Sequence, residues 1–352
     1  MKNIVGWILN NAKNFPEKAS LEDEIPFVIW RRQWEVCDII ADRRSSEGIS
    51  RRVGVLAEKN DAYQIDALHY QYANAKYKAK YSESLDLSRK GLEMAGDRGD
   101  REKTALMYSL MGEACYNLSD YPKAIEHRLE ALAIYQSLGM EVRSGDVKGE
   151  IGLAYWRMGD NQQALDYYQQ AQDVYRKYND IRKMATNKAN VAGALLRTDQ
   201  ADQAYDLYQE ALVQARQLGD IQKQSNILNN LGAILIRKGR YQDALVRLQE
   251  GLKIDRTIGD ITSQATKLNN IGVLQGTLGD HDQSLEYMKR ALEIDVSTGN
   301  VNGQISKLNN IADLWAMKED FQKSFECSQR SVDLSRQINS KGYLAHALIR
   351  NV

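Results

Sequence analysis

Hydrophobic and polar positions along the chain fall into blocks of twenty residues, each closed by a short polar turn. The turns are Gly99-Asp100, Gly159-Asp160, Gly219-Asp220, Gly259-Asp260 and Gly279-Asp280, with Asn179-Asp180 and Gly299-Asn300 as variants. Gly or Asn there suits the left-handed residue that stops a helix. Two kinds of block alternate, so the full period is forty. Residues 261–280, ITSQATKLNNIGVLQGTLGD, show the first helix, and 281–300, HDQSLEYMKRALEIDVSTGN, the second. Large apolar residues Met111, Ile151, Val191, Leu231, Ile271 and Ile311 each precede a small one: Gly112, Gly152, Ala192, Gly232, Gly272 and Ala312. The second helix has two small rows. One is Ser84, Ala124, Ala164, Ala204, Ala244, Ser284 and Ser324; the other is Gly91, Ala131, Ala171, Ala211, Gly251, Ala291 and Ser331. Glycine inside a helix costs about 1 kcal/mol relative to alanine. Its recurrence therefore predicts close helix–helix approach.

The register runs unbroken from Asp61 to Ser340, which gives seven repeats of forty residues. Proline supports an all-α chain. There are 3 in 352 residues, and after Pro26 only Pro122 remains. It stands in the first turn of a second helix, where proline is tolerated.

The segments Leu231-Gly232…Leu235…Gly239-Arg240-Tyr241…Ala244-Leu245 and Ile151-Gly152…Tyr155…Gly159-Asp160…Ala164-Leu165 resemble the tetratricopeptide repeat. The resemblance covers about 280 residues in seven copies. It implies a right-handed α-solenoid, a superhelix of stacked antiparallel helix pairs. The closing proline of the common 34-residue form is absent. Gly96, Gln136, Arg176, Arg216, Arg256, Val296 and Arg336 hold its place. In this the chain is similar to the forty-residue variety found in polarity and motor-cargo adaptors and in bacterial signalling proteins. The first repeat departs most, with Tyr72 where the small residue belongs.

Residues 1–60 fit the period less well. Stretches 25–43 and 47–58 read as a helix pair anchored by Phe27, Trp30, Trp34 and Ile39, a degenerate repeat capping the stack. This segment is weakly similar to the helical region behind the nucleotide-binding domain of bacterial signal-transduction ATPases. Residues 341–352 begin an eighth first helix, which fits either a partial cap or a fragment of a longer protein.

Charge and candidate chemistry narrow the function. Lys and Arg number 47, and so do Asp and Glu, for a net charge of zero. That removes the basic footprint that nucleic-acid binding needs. No apolar run is long enough to span a bilayer, and no secretory signal is visible. The three cysteines (Cys37, Cys115, Cys327) lack metal-ligand spacing and point to a reducing, cytoplasmic setting. No phosphate loop, dinucleotide fingerprint, zinc-protease or serine-hydrolase motif occurs, so no catalytic residue, cofactor or metal is expected. His69, His127, His281 and His346 share no ligand spacing. Cys115 reads as core. Tyr155, Trp156, Tyr167, Tyr168, Tyr175 and Tyr178 crowd the third repeat, mostly at core spacing.

The resemblance implies that the first helix of each pair lines a concave groove. One inward row then holds His69, Ser109, Gly149, Ala189, Asn229, Asn269 and Asn309, and another holds Tyr77, Asn117, Arg157, Arg197, Arg237, Thr277 and Met317. Arg157, Arg197 and Arg237 present planar forks suited to carboxylates. Asn229, Asn269 and Asn309 offer a donor and an acceptor to an extended main chain. The expected function is a non-catalytic scaffold binding an extended, acidic protein or peptide segment along the groove. A bland reading stays open beside it. Helix-end arginines are favoured by the dipole alone, and duplicated repeats copy residues. Two rivals remain: the sensor region of a larger signal-transduction ATPase or kinase, and a regulator similar to peptide-pheromone receptors. Oligomeric state is left open.

Overall fold

Each twenty-residue block folds as one helix because both of its ends are written into the local sequence. The computed structural model describes residues 43–337. The first helix of the N-terminal pair, read over 25–43, and the eighth first helix, read over 341–352, lie outside those residues, apart from Arg43. Every twentieth residue from 79 to 319 has positive φ, eight of them glycine and five Ala79, Ser119, Asn179, Asp199 and Glu319. At most of these turns the next residue caps the helix that follows. Asp100, Asp120, Asp180, Asp220, Asp260, Asp280 and Asn300 each accept a hydrogen bond from the backbone N–H three residues on. Such caps are worth about 0.5–2 kcal/mol each.

Fifteen helices result among the described residues. Helix α1 spans Arg43–Lys59, α2 Gln64–Tyr77, α3 Tyr81–Asp97, α4 Arg101–Asn117, α5 Tyr121–Ser137, α6 Glu141–Met158 and α7 Asn161–Lys177. Then come α8 Ile181–Leu195, α9 Ala201–Gln217, α10 Ile221–Arg237, α11 Tyr241–Ile258, α12 Ile261–Thr277, α13 His281–Ser297, α14 Val301–Met317 and α15 Phe321–Gln337. Single 3-10 turns cover Asp61–Tyr63 and Leu196–Thr198. Sequential helices pair antiparallel, as short connections require. No described helix is long and apolar enough to cross a membrane. The chain divides between Val174 and Tyr175 into two compact units.

In the first unit, α1 lays Ile49, Val53, Leu56 and Ala57 into a core with Tyr63, Tyr70, Tyr72 and Ala73. The stretch read as 47–58 thus falls within this helix. Further along, Ile125, Leu132 and Tyr135 of α5 meet Val147, Ile151 and Ala154 of α6. Small residues set the approach. A Cβ on Gly152 would stand 2.8 Å from the Tyr168 ring, and one on Gly112 2.7 Å from Arg128 Cγ. The Tyr168 side chain is wholly buried; across the division, in the second unit, Tyr175 is nearly so and Tyr178 is exposed. Tyr155 and Tyr167 stack at 5.6 Å. Cys115 is core, as expected, and burial pushes its thiol up.

The second unit repeats the scheme. Leu248, Leu252, Leu268, Ile271 and Ala291 form one core cluster, and Leu285, Met288, Ile311 and Leu314 another. A Cβ on Gly232 would meet Leu248 at 2.6 Å. This unit also buries charge. Lys267 Nζ of α12 lies 2.7 Å from Asp255 Oδ2 of α11, both side chains almost fully buried. One repeat later Lys307 pairs with Asp295 at 2.9 Å in the same way. Ser225 donates to Asp255, and Asn300 Nδ2 to Asp295 Oδ1. Gly251 leaves room for the Lys267 stem, since a Cβ there would stand 2.7 Å from its Cε.

Candidate functional site

The first helices α2, α4 and α6 of the first unit meet through bonds between residues about one repeat apart. Tyr72 Oη donates to Glu113 Oε2 at 2.9 Å and to the Leu110 carbonyl at 3.0 Å. Lys76 Nζ pairs with Glu113 at 3.2 Å. The misfit Tyr72 of the first repeat is therefore buried and tied to the second. Its hydroxyl is held far above the usual tyrosine range by burial and by the Glu113 charge. Arg157 Nε donates to Tyr116 Oη at 2.9 Å, and its guanidinium lies over the Trp156 ring at 5.1 Å. Arg128, nearly fully buried, also lies over the Tyr116 ring, at 5.4 Å. It pairs with Glu150 at 3.2 Å, and that carboxyl is pushed up by burial despite the Arg128 charge. The Asn117 side chain donates to its own helix, at the Glu113 carbonyl. Arg157 is thus exposed yet already seated on aromatic rings.

In the second unit, Asn270 Nδ2 of α12 donates to Asn229 Oδ1 of α10 at 2.8 Å. Asn310 Nδ2 of α14 donates to Asn269 Oδ1 of α12 at 3.0 Å. The two neighbouring asparagine rows are therefore one ladder that joins successive first helices. Asn269 and Asn309 are buried, and Asn309 Oδ1 has no hydrogen-bond partner among the described residues. Arg237 is the last residue of α10, exposed, with no ion pair among the described residues. Its neighbours differ: Lys238 pairs with Asp202, and Arg240 with Asp243 at 2.7 Å. Arg197 is exposed too, but it lies in the 3-10 turn after α8 rather than in the helix itself. The structure thus places Arg237 and the three asparagines on first helices of one unit, Arg197 in the turn that follows a first helix of the same unit, and Arg157 on a first helix of the other.

Sequence reasoning missed the buried ion pairs. A signal was present. Lys267 and Lys307 occupy the row of Met107, Val147 and Ile227, while Asp255 and Asp295 occupy that of Ala95, Tyr135 and Ala215. Opposite charges thus entered two otherwise uncharged rows, each aspartate twelve residues before the lysine of the following repeat that it pairs with. No group of His, Cys, Asp and Glu among the described residues is arranged to hold a metal ion.

Family profiles agree with the repeat geometry. Profiles described as tetratricopeptide repeat match residues 103–177, 183–257 and 268–295, together about half the chain. The chain is a tetratricopeptide repeat protein, of a class whose repeats bind proteins and peptides. No curated protein matches it by sequence. Solved structures of similar fold include the apo form of RapI, at TM-score 0.66 and 14% identity, covering 78% of this chain and 98% of that one. The Rap conjugation regulator of plasmid pLS20, in complex with the Phr* peptide, gives 0.64 and 16%, over 80% of this chain and 77% of that one. A signal-transduction ATPase from Pyrococcus horikoshii with a tetratricopeptide repeat sensor gives 0.60 and 14%, over 87% of this chain and 49% of that protein. At these identities the likeness concerns the fold.

Proposed function

We propose that the chain is a non-catalytic scaffold that holds an extended, acidic segment of a partner on the first-helix face of its second unit. Arg237 and Arg197 meet carboxylates of the segment. Asn229, Asn269 and Asn309 turn to its main chain the polar atoms that the ladder leaves over, the oxygens of Asn229 and Asn269 being taken by Asn270 and Asn310. Arg157, seated against Tyr116 and Trp156, offers the same group on the first unit. The observation that carries this reading is Arg237, an exposed guanidinium with no ion pair among the described residues beside two cations that are paired. A guanidinium without a carboxylate is a ready fork for one. The Rap regulator of similar fold, solved with the Phr* peptide, supports a peptide as the ligand. A second reading, the sensor part of a larger regulator, draws support from the archaeal ATPase with its repeat sensor.

The test is fluorescence anisotropy with a labelled glutamate-rich peptide and its glutamine counterpart. The glutamate peptide binds, more weakly as salt rises, and Arg237→Glu weakens it by about tenfold or more at an unchanged melting temperature. Equal affinity for both peptides, or for Arg237→Glu and the parent, overturns the reading.

A further inference from the structure

The amide ladder of the second unit has an open end. Asn269 Oδ1 receives Asn310, but Asn309 Oδ1, on a residue 6% exposed, accepts no hydrogen bond among the described residues. A buried amide oxygen without a donor is destabilising. The face beside it is covered all the same. Ser331, Val332 and Ser335 of α15 are 0%, 1% and 0% exposed, although α15 is the last described element. In earlier repeats the Ser331 row is covered by the first helix that follows. A Cβ on Gly91 would stand 3.2 Å from Met107 Cγ, and one on Gly251 3.2 Å from Lys267 Cδ, each sixteen residues further on.

Two spacings recur in the bonds between successive first helices. At 41 residues, Asn270 donates to Asn229 and Asn310 to Asn269. At 37 residues, Lys103 donates to Asp66 and Lys76 to Glu113. Arg350 stands 41 residues after Asn309 and 37 after Asp313, two acceptors one helical turn apart on α14. In the same register Ala345 and Leu348 fall in the rows of Ala265 and Leu268, which are 0% and 3% exposed. Ala347 comes sixteen residues after Ser331. The connection fits as well. Helix α13 ends at Ser297 and α14 opens at Val301, and an equal gap after Gln337 reaches residue 341.

We infer that the face formed by α14 and α15 is the docking surface for residues 341–352 of the same chain. Leu348 and Ala345 meet its apolar side chains, and the Arg350 guanidinium donates to Asn309 Oδ1 and to the Asp313 carboxylate. An arginine fork can serve both acceptors at once. One cation thus closes a ladder that asparagines carry through the two preceding rungs. The short tether selects this occupant over a second copy, since it holds the segment at an effective concentration on the order of millimolar.

The test is disulfide trapping in the full chain carrying Ser331→Cys/Ala347→Cys. The expected result is a bridge between positions 331 and 347 within one chain, located by peptide mass mapping, with circular dichroism unchanged. Arg350→Glu, added to that pair, slows bridge formation about tenfold or more, and Arg350→Glu/Asp313→Arg restores the rate. A chain that forms no such bridge overturns the inference. So does a bridge found only between two chains, which makes another copy the occupant. A rate untouched by Arg350→Glu overturns the rung to Asn309 and Asp313.

Discussion

Replacing Asp255 by alanine strands a buried charge. Lys267 Nζ lies 2.7 Å from Asp255 Oδ2 with 2% and 0% of the two side chains exposed. With an effective dielectric constant of about 20, that separation gives an attraction of about 6 kcal/mol. Taking each ion out of water costs several kcal/mol. The pair is therefore near break-even as a unit, while its halves are not. Asp255→Ala leaves the Lys267 ammonium among apolar side chains and destabilises the fold by about 3–5 kcal/mol. For a unit of this size the melting temperature falls by roughly 10 °C. The double variant Asp255→Ala/Lys267→Ile installs the residues that the preceding repeat carries in those rows, Ala215 and Ile227. It restores parental stability or exceeds it. Thermal melts followed by circular dichroism, with hydrogen exchange across α11 to α13, give the comparison. A single variant within 1 kcal/mol of the parent, or a double variant no better than the single, refutes the argument that burial makes each charge depend on the other.

Three further outcomes follow from the packing and the caps. Gly232→Ala lowers stability by about 1–3 kcal/mol despite alanine's better helix propensity, because its Cβ would stand 2.6 Å from Leu248. Gly48→Ala, with nothing within 4 Å of its Cβ in α1, raises it by about 0.4–1 kcal/mol; chemical denaturation measures both signs. Asp220→Ala removes the cap of α10 and costs about 0.5–2 kcal/mol, read from the same curves. Finally, the Asp260 carboxyl sits below its ordinary range: burial works against ionisation, but hydrogen bonds from Ser263 and Gln222 outweigh it. A depressed folded-state pKa contributes stability above the unfolded value, near 3.8, that is lost as pH falls through the folded one. The acid limb of a stability–pH curve is therefore shallower in Asp260→Asn, and an unchanged limb contradicts the assignment.

The helices were legible because their signals are local. A left-handed residue every twenty positions, followed at most turns by a capping aspartate, marks the ends of the helices without reference to anything distant, and the small rows mark where neighbours touch. The site was legible in part. Arg237 stands exposed where the repeat pattern puts it. The asparagine row read as groove-facing donors and acceptors is tied up between repeats, Asn270 to Asn229 and Asn310 to Asn269. That bond joins residues one repeat plus one apart, a distance no single-repeat pattern contains. Arg157 shows the same limit, since its partner Tyr116 lies one repeat back. The buried lysines escaped notice because lysine is ordinarily a surface residue.

The paired charges and the amide ladder also decide which modules can be copied. Residues 261–300 carry Lys267 at their front and Asp295 at their rear, with Asn270 as the incoming donor and Asn269 as the outgoing acceptor. A second copy inserted after Asn300 would meet Asp295 with lysine and Lys307 with aspartate, and every rung would be matched. A copy of residues 181–220 in the same place would set Asn187 against Asp295 and Ala215 against Lys307. One module is therefore self-compatible, like a monomer whose head fits its own tail, and the array can lengthen there without any change of sequence elsewhere.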